Sequence, residues 1–156
     1  MENKETLIVD IMTIEDLESI KDNLEANYDE FWNENILRSE IENLNSKFFS
    51  LKNGNEIIGF GGYIVTPQDI QISNVVIKKN QRNLGYGDFF FKEILKNAEN
   101  DLKKIDIHPK SISLEVNSTN KAAISLYTKN GFEQIGIRKR YYNNTSDAII
   151  MSKNLT

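Results

Sequence analysis

Between Ile70 and Ala98 the chain passes from a short apolar run, through a turn holding two glycines, into a long apolar helix pattern. This succession restricts the possible folds more than any other stretch of its 156 residues. Ile70-Gln71-Ile72-Ser73-Asn74-Val75-Val76-Ile77 alternates at its start as a half-buried strand does. Lys78 to Asn83 is polar, Gly85 and Gly87 follow, and Phe89, Phe90, Ile94, Leu95 and Ala98 mark the helix. A strand that feeds a helix in this way lets the main-chain N–H groups of Arg82-Asn83-Leu84-Gly85-Tyr86-Gly87 converge on an anion at the positive end of the helix dipole. Arg82 adds a charged donor for the same pyrophosphate. Two glycines at such a turn also occur for backbone geometry alone. The turn lacks the Gly-Lys-Ser/Thr ending of a nucleoside triphosphate loop and the third glycine of a dinucleotide loop, so a different phosphate ligand is needed.

Around this unit the pattern predicts a first strand over Thr6 to Ile11, then a helix capped by Thr13 with Ile14, Leu17, Ile20 and Leu24 as its buried stripe. A second short helix opens near Asn33 and carries Ile36, Leu37, Ile41 and Leu44. Lys47 to Leu51 and Glu56 to Val65 flank Asn53-Gly54, a hairpin signal. Beyond the glycine turn come a buried strand (Ser111 to Val116), a helix (Thr119 to Lys129) ended by Asn130-Gly131, and strands over Phe132 to Tyr142 and Ala148 to Lys153. The order describes one α+β domain, Met1 to Thr156, with a mixed, mostly antiparallel seven-stranded sheet and four helices.

Composition excludes several functions. With 19 Lys+Arg against 23 Asp+Glu the net charge is -4, without the basic excess that nucleic acid requires. There is no cysteine, hence no thiolate metal site and no acyl-cysteine intermediate. The one histidine, His108, stands before Pro109 in a polar stretch with no second histidine for a metal cluster or a Ser-His-Asp relay, so it reads as a loop residue and no metal is expected. Met1-Glu2-Asn3-Lys4-Glu5 is acidic and precedes too short an apolar run for a signal peptide. The longest apolar stretch, Ile57 to Val65, is far below the ~20 residues of a membrane span. A cytoplasmic location off the membrane is expected, where the glycosylation patterns at Asn117-Ser118-Thr119 and Asn143-Asn144-Thr145 carry no meaning.

Arg82-x-x-Gly85-x-Gly87 resembles the R/Q-x-x-G-x-G/A loop of the GCN5-related N-acetyltransferase superfamily, which holds the pyrophosphate of coenzyme A. Leu114-Glu115-Val116-Asn117-Ser118-Thr119-Asn120, followed by Ala122-Ala123-Ile124-Ser125-Leu126-Tyr127 and Gly131-Phe132, resembles the RimI-type ribosomal-protein-alanine N-acetyltransferases within it. The likeness continues through Arg138-Lys139-Arg140-Tyr141-Tyr142 and Asp147-Ala148-Ile149-Ile150-Met151. It implies acetyl-coenzyme A as cosubstrate. Main-chain groups of Val75, Val76 and Ile77 would pair with the pantetheine and acetyl carbonyl, Asn83 to Asp88 would supply phosphate-facing amides, and the Asn120 amide would hold the pantetheine arm. It further implies Glu115 as general base and Tyr127 as general acid. Taken alone, Glu115 reads as an edge-strand surface residue, Tyr127 as core and Asn120 as a helix cap.

The residue types suit the chemistry. An amine attacks a thioester only in its neutral form, and a protein α-amine with an ordinary pKa near ~8 needs less help than lysine at ~10.4. A carboxylate at the edge of a buried strand, desolvated there, removes the proton, and a tyrosine hydroxyl protonates the departing thiolate. Two departures from the family touch phosphate and acceptor: Asp88 puts a carboxylate beside the expected pyrophosphate, and Asn117 stands where relatives commonly place arginine. Phe31-Trp32-Asn33-Glu34 likewise replaces a Pro-Trp-Ser-like turn. Trp32, Tyr141 and Tyr142 are candidates for the aromatic wall of a peptide groove, with packing beneath a helix as the alternative for Trp32. The resemblance favours a protein N-terminal α-amine as acceptor, the alanine of a small-subunit ribosomal protein foremost. A polyamine or antibiotic amine, or a coenzyme A-binding regulator without turnover, are the alternatives; the oligomeric state is not legible.

Overall fold

The computed structural model describes residues 6–29, 31–106, 110–142 and 145–155, with the main chain alone of Tyr142. His108, Pro109, Asn143, Asn144 and the first five residues lie outside them. By packing, the chain divides into two compact units, Met1–Ile64 with Ser73–Leu95 and Val65–Ile72 with Lys96–Thr156.

In the first unit, β1 (Leu7–Ile11) lies antiparallel to β2 (Ser46–Asn53), which forms a hairpin with β3 (Glu56–Val65). Its turn is Gly54-Asn55, one residue beyond the expected Asn53-Gly54: Asn53 still belongs to β2 and lies opposite Glu56, and Gly54 takes the positive φ of 63°. The α1 helix (Ile14–Ile20) opens on a reciprocal cap: Thr13 Oγ1 accepts from the Asp16 N–H at 3.1 Å, and the Thr13 N–H donates to Asp16 Oδ2 at 2.9 Å. The stripe expected to run on to Leu24 is broken. Asn23 adopts φ 68°, which asparagine tolerates better than most residues, and a separate α2 (Leu24–Asn27) begins there, so the described residues form five α-helices where four were expected.

The α3 helix (Glu34–Glu42) is capped by Asn33, whose Oδ1 accepts from the Ile36 N–H at 3.0 Å. Leu17, Leu24, Tyr28, Trp32, Leu37, Phe48 and Phe60 pack as one core. Trp32 is 1% exposed and meets Phe60 edge-on at 4.7 Å, so its large apolar area stabilises this core.

The β4 strand (Ile70–Ile77) and α4 (Tyr86–Lys103) each begin in one unit and end in the other. A side chain at Gly61 would strike the Asn74 carbonyl, and one at Gly59 would stand 2.8 Å from the Val76 carbonyl oxygen. Glycine in β3 is therefore what lets the second half of β4 approach.

In the second unit, β4 begins parallel to β5 (Lys110–Asn117), and among the described residues that ladder has two pairs, Ile70↔Ile112 and Gln71↔Ser113. The Ser113 hydroxyl donates to Asp69 Oδ2 at 2.7 Å. The α5 helix (Lys121–Lys129) follows β5. The β7 strand (Ser146–Leu155) pairs antiparallel with the whole length of β5 and, on its other side, with β6 (Glu133–Tyr142). The strand order is β1-β2-β3-β4-β5-β7-β6, the seven-stranded mixed sheet of an α+β fold. Among the described residues no helix is long and apolar enough to cross a membrane.

Candidate active site

The glycine turn is built by two backbone conformations that most residues avoid. Asn83 adopts φ 65° and Gly85 φ 86°, and the Gly85 carbonyl accepts the first helical bond, from the Phe89 N–H at 3.3 Å. The first-turn N–H groups of α4, at Tyr86, Gly87 and Asp88, have no acceptor within a helix by geometry, and they carry the positive end of its dipole. Gly87 has no positive φ, and a Cβ there would find only Ile77 Cγ1, in ordinary contact at 3.8 Å. Among the described residues nothing requires glycine at this position.

Arg82 departs from expectation. Its Nε donates to the Ile77 carbonyl and an Nη to the Tyr28 carbonyl, both at 2.8 Å, so the guanidinium braces the turn against the end of β4 and the residue after α2. Leu84 is exposed, whereas the Tyr86 ring is buried. Asp88 stands in the first turn of α4, where its charge complements the dipole, and it pairs with Lys92 at 2.7 Å. Lys92 thus offsets the repulsion expected between Asp88 and a bound phosphate. Val75, Val76 and Ile77 are half-buried on β4.

On β5 the pattern alternates: Ile112, Leu114 and Val116 are buried and Glu115 between them is exposed. The Glu115 side chain is 30% exposed and its Oε1 takes an ion pair from Arg138 Nε at 2.9 Å. The guanidinium of Arg138 in turn lies over the Tyr141 ring, 5.6 Å from its centroid.

After β5 the chain turns on its own side chains. Asn117 Oδ1 accepts from the Thr119 N–H and hydroxyl at 3.0 and 2.9 Å, and Asn120 Oδ1 caps α5 by accepting from the Ala123 N–H at 3.1 Å. Asn120 is thus a cap in this structure, with its amide N–H₂ directed elsewhere. Tyr127 is half-buried on α5, its ring tilted against Phe132 at 6.3 Å, and the Phe132 N–H donates to the Tyr127 carbonyl at 3.1 Å. Gly131, at φ 94°, turns the chain there.

Of the three aromatic residues proposed as a peptide wall, Trp32 is excluded: it is sealed in the core, and its neighbour Phe31, 61% exposed, holds the surface instead. Tyr141 is exposed as a wall requires. The backbone of Tyr142 continues β6. The structure brings Glu115, Arg138 and Tyr141 into one connected group. Arg138, part of the quoted Arg138-Lys139-Arg140-Tyr141-Tyr142 segment, received no role from sequence, because nothing in a linear reading shows that it reaches Glu115. Among the described residues, no group of three or more His, Asp or Glu is placed to hold a metal ion.

Comparison with known proteins yields a consistent result. Residues 10–132 match the Acetyltransferase (GNAT) family. A Bacillus subtilis (strain 168) protein provisionally named for ribosomal protein bS18-alanine N-acetylation is 29% identical over 143 residues, covering 90% of each chain. The ribosomal protein bS18-alanine N-acetyltransferase of Escherichia coli (strain K12) is 29% identical over 107 residues, covering 67% of this chain and 68% of its own. In fold, the crystal structure of the ribosomal-protein-S18-alanine N-acetyltransferase from Escherichia coli superposes with a TM-score of 0.81 at 23% identity, over 96% of this chain and 94% of that one.

Proposed function

The chain belongs to the acetyltransferase (GNAT) family as a RimI-like N-acetyltransferase, and from that premise we propose that it moves the acetyl group of acetyl-coenzyme A onto the N-terminal α-amine of a protein, the alanine of a small-subunit ribosomal protein foremost. The observation that carries this reading is Glu115: a carboxylate presented outward from a strand whose neighbours are buried, one helix ahead of Tyr127. The names of the two curated relatives support a ribosomal protein as acceptor.

In this reading the main-chain N–H groups of Asn83, Leu84, Gly85, Tyr86, Gly87 and Asp88 take the pyrophosphate, and Gly87 is glycine because the phosphate fills the space of a side chain. Arg82 stiffens that turn and turns its remaining donors to the same anion. Val75, Val76 and Ile77 offer strand edges to the pantetheine, a role supported by the shortness of the β4 ladder to β5, and the Asn120 amide N–H₂ holds the same arm. Glu115 takes the proton that the amine sheds as nitrogen bonds to the acetyl carbon, and Tyr127 gives one to sulfur as the carbon–sulfur bond breaks. Acyl transfer is direct in this reading, and the chain has no cysteine that could carry an acyl-thioester intermediate. Tyr141, exposed on β6, lines the acceptor.

The test is to incubate the protein with isotope-labelled acetyl-coenzyme A and Ala-starting peptides, free or blocked at the amino terminus. Label should enter only the free peptides. Equal labelling of both would refute α-amine transfer.

A further inference from the structure

The Arg138 side chain leaves β6 and pairs with a carboxylate on β5, two strands away, and the register shows how. Asn117 lies opposite Ala148 of β7, and Ala148 lies opposite Arg138; Glu115, Ile150 and Gly136 form the next row on the same face. Directly paired residues share a face and strands lie roughly 4.8 Å apart, so a side chain that spans β7 must reach about 10 Å. Arginine is long enough. Ala148, beneath its path, presents only a methyl group, and in the next row the Ile150 side chain leans over Gly136, with its Cδ1 3.5 Å from where a Cβ there would stand.

The Tyr141 contact needs a second device. Residues three apart on a regular strand point to opposite faces. The pairing of β6 with β7 shifts register between Arg138 and Tyr142, Arg140 adopts φ 51°, and its N–H is held by Asp147 Oδ1 at 2.8 Å. This bulge resets the alternation and places the Tyr141 ring against the Arg138 guanidinium. The Asp147 carboxylate also faces Lys139 at 3.8 Å, so the bulge has its own charge pair and leaves Arg138 to Glu115.

We propose that Arg138 is a positioning residue: it grips one oxygen of the Glu115 carboxylate so that the other faces the acceptor amine, and it carries contacts made at Tyr141 to that carboxylate. This rests on Glu115 being the base. An exposed glutamate has three side-chain torsions, and fixing its reach matters because a misplacement of about 1 Å in a reacting group lowers rates by up to about 10²-fold. The pair is too exposed to matter much for folding.

The experiment is a double-mutant cycle on an Ala-starting peptide at saturating acetyl-coenzyme A, using Arg138→Gln, Glu115→Gln and the double variant, with Arg138→Lys as the conservative arm. Arg138→Gln should lower kcat about tenfold with the KM for acetyl-coenzyme A unchanged, Arg138→Lys should recover part of that loss, and Arg138→Gln should cost nothing further once Glu115 is glutamine. Equal losses in both backgrounds, or wild-type turnover in Arg138→Gln while Glu115→Gln is impaired, would overturn the positioning role and leave the base intact. Wild-type turnover in Glu115→Gln would instead remove the base, and the positioning role with it.

Discussion

The glycine turn and the β5–α5 segment divide main chain and side chain in opposite ways. In the turn, the prominent charged side chain, Arg82, is engaged with the carbonyls of Ile77 and Tyr28, while the first-turn amides of α4 point outward along the helix axis. In β5–α5 one edge of the strand is engaged along the whole β7 ladder, the other is paired with β4 at two positions among the described residues, and Asn117 and Asn120 are folded back on their own turn. In the proposed reaction β5–α5 contributes the side chains of Glu115 and Tyr127, whereas the glycine turn contributes main chain.

Substitutions can break this division or sharpen it. The largest effect is expected from Glu115→Gln, which keeps the shape and removes the base: turnover of an Ala-starting peptide should fall about 10³-fold with the Kd for coenzyme A unchanged, read by single-turnover kinetics and calorimetry. Weakened cofactor binding instead would mean that β5 belongs to the binding segment. Tyr127→Phe keeps the ring against Phe132 and should lower kcat by about tenfold to a hundredfold, again without loss of cofactor affinity; an unchanged rate would take the acid role from Tyr127. Gly85→Val should do the reverse. A β-branched residue is strained at φ 86°, so calorimetric titration should show coenzyme A bound about tenfold more weakly, while kcat at saturation stays close to wild type.

The smallest effect concerns neither segment. Thr13→Ala should lower stability by about 1 kcal/mol in denaturant titration and leave kinetics alone. The cap also has a pH signature. Burial by itself would raise the Asp16 pKa, but the Thr13 N–H and Lys52, 3.1 Å away, outweigh it and hold the carboxyl below its ordinary 3.8. Its stabilisation is full above 3.8 and is lost as pH falls through the lowered folded value. Asp16→Asn, which removes that titrating group, should make the acid limb of stability shallower.

Where sequence and structure agree, the signal is local. Gly54 marks the hairpin turn to within one residue, and the Ile70 to Ala98 succession places the glycine loop, because both depend on backbone conformations that few residues adopt. The Leu114-Glu115-Val116 alternation likewise places Glu115 outward. Where the reading falls short, the cause is distant in the chain or competes locally. One left-handed residue, Asn23, divides a continuous apolar stripe into two helices. Trp32 is drawn inward by Phe60, a neighbour no helix periodicity reveals. Arg82 finds Tyr28 and Arg138 finds Glu115 only after the strands have assembled, so the partners that decide what each arginine can do are invisible in one dimension.

The interrupted pairing of β6 has a consequence for how this protein survives at high concentration. The strand stands last in the sheet and shows Ile135, Ile137 and Tyr141 to solvent, a composition that on a straight edge would recruit a neighbour's strand and seed fibrils. Its register slips twice, at Gln134/Gly136 and Arg138/Tyr142, and the kinked rim presents no unbroken row of donors and acceptors to copy. The same distortion that sets an aromatic ring beneath a cation thus doubles as a safeguard of solubility.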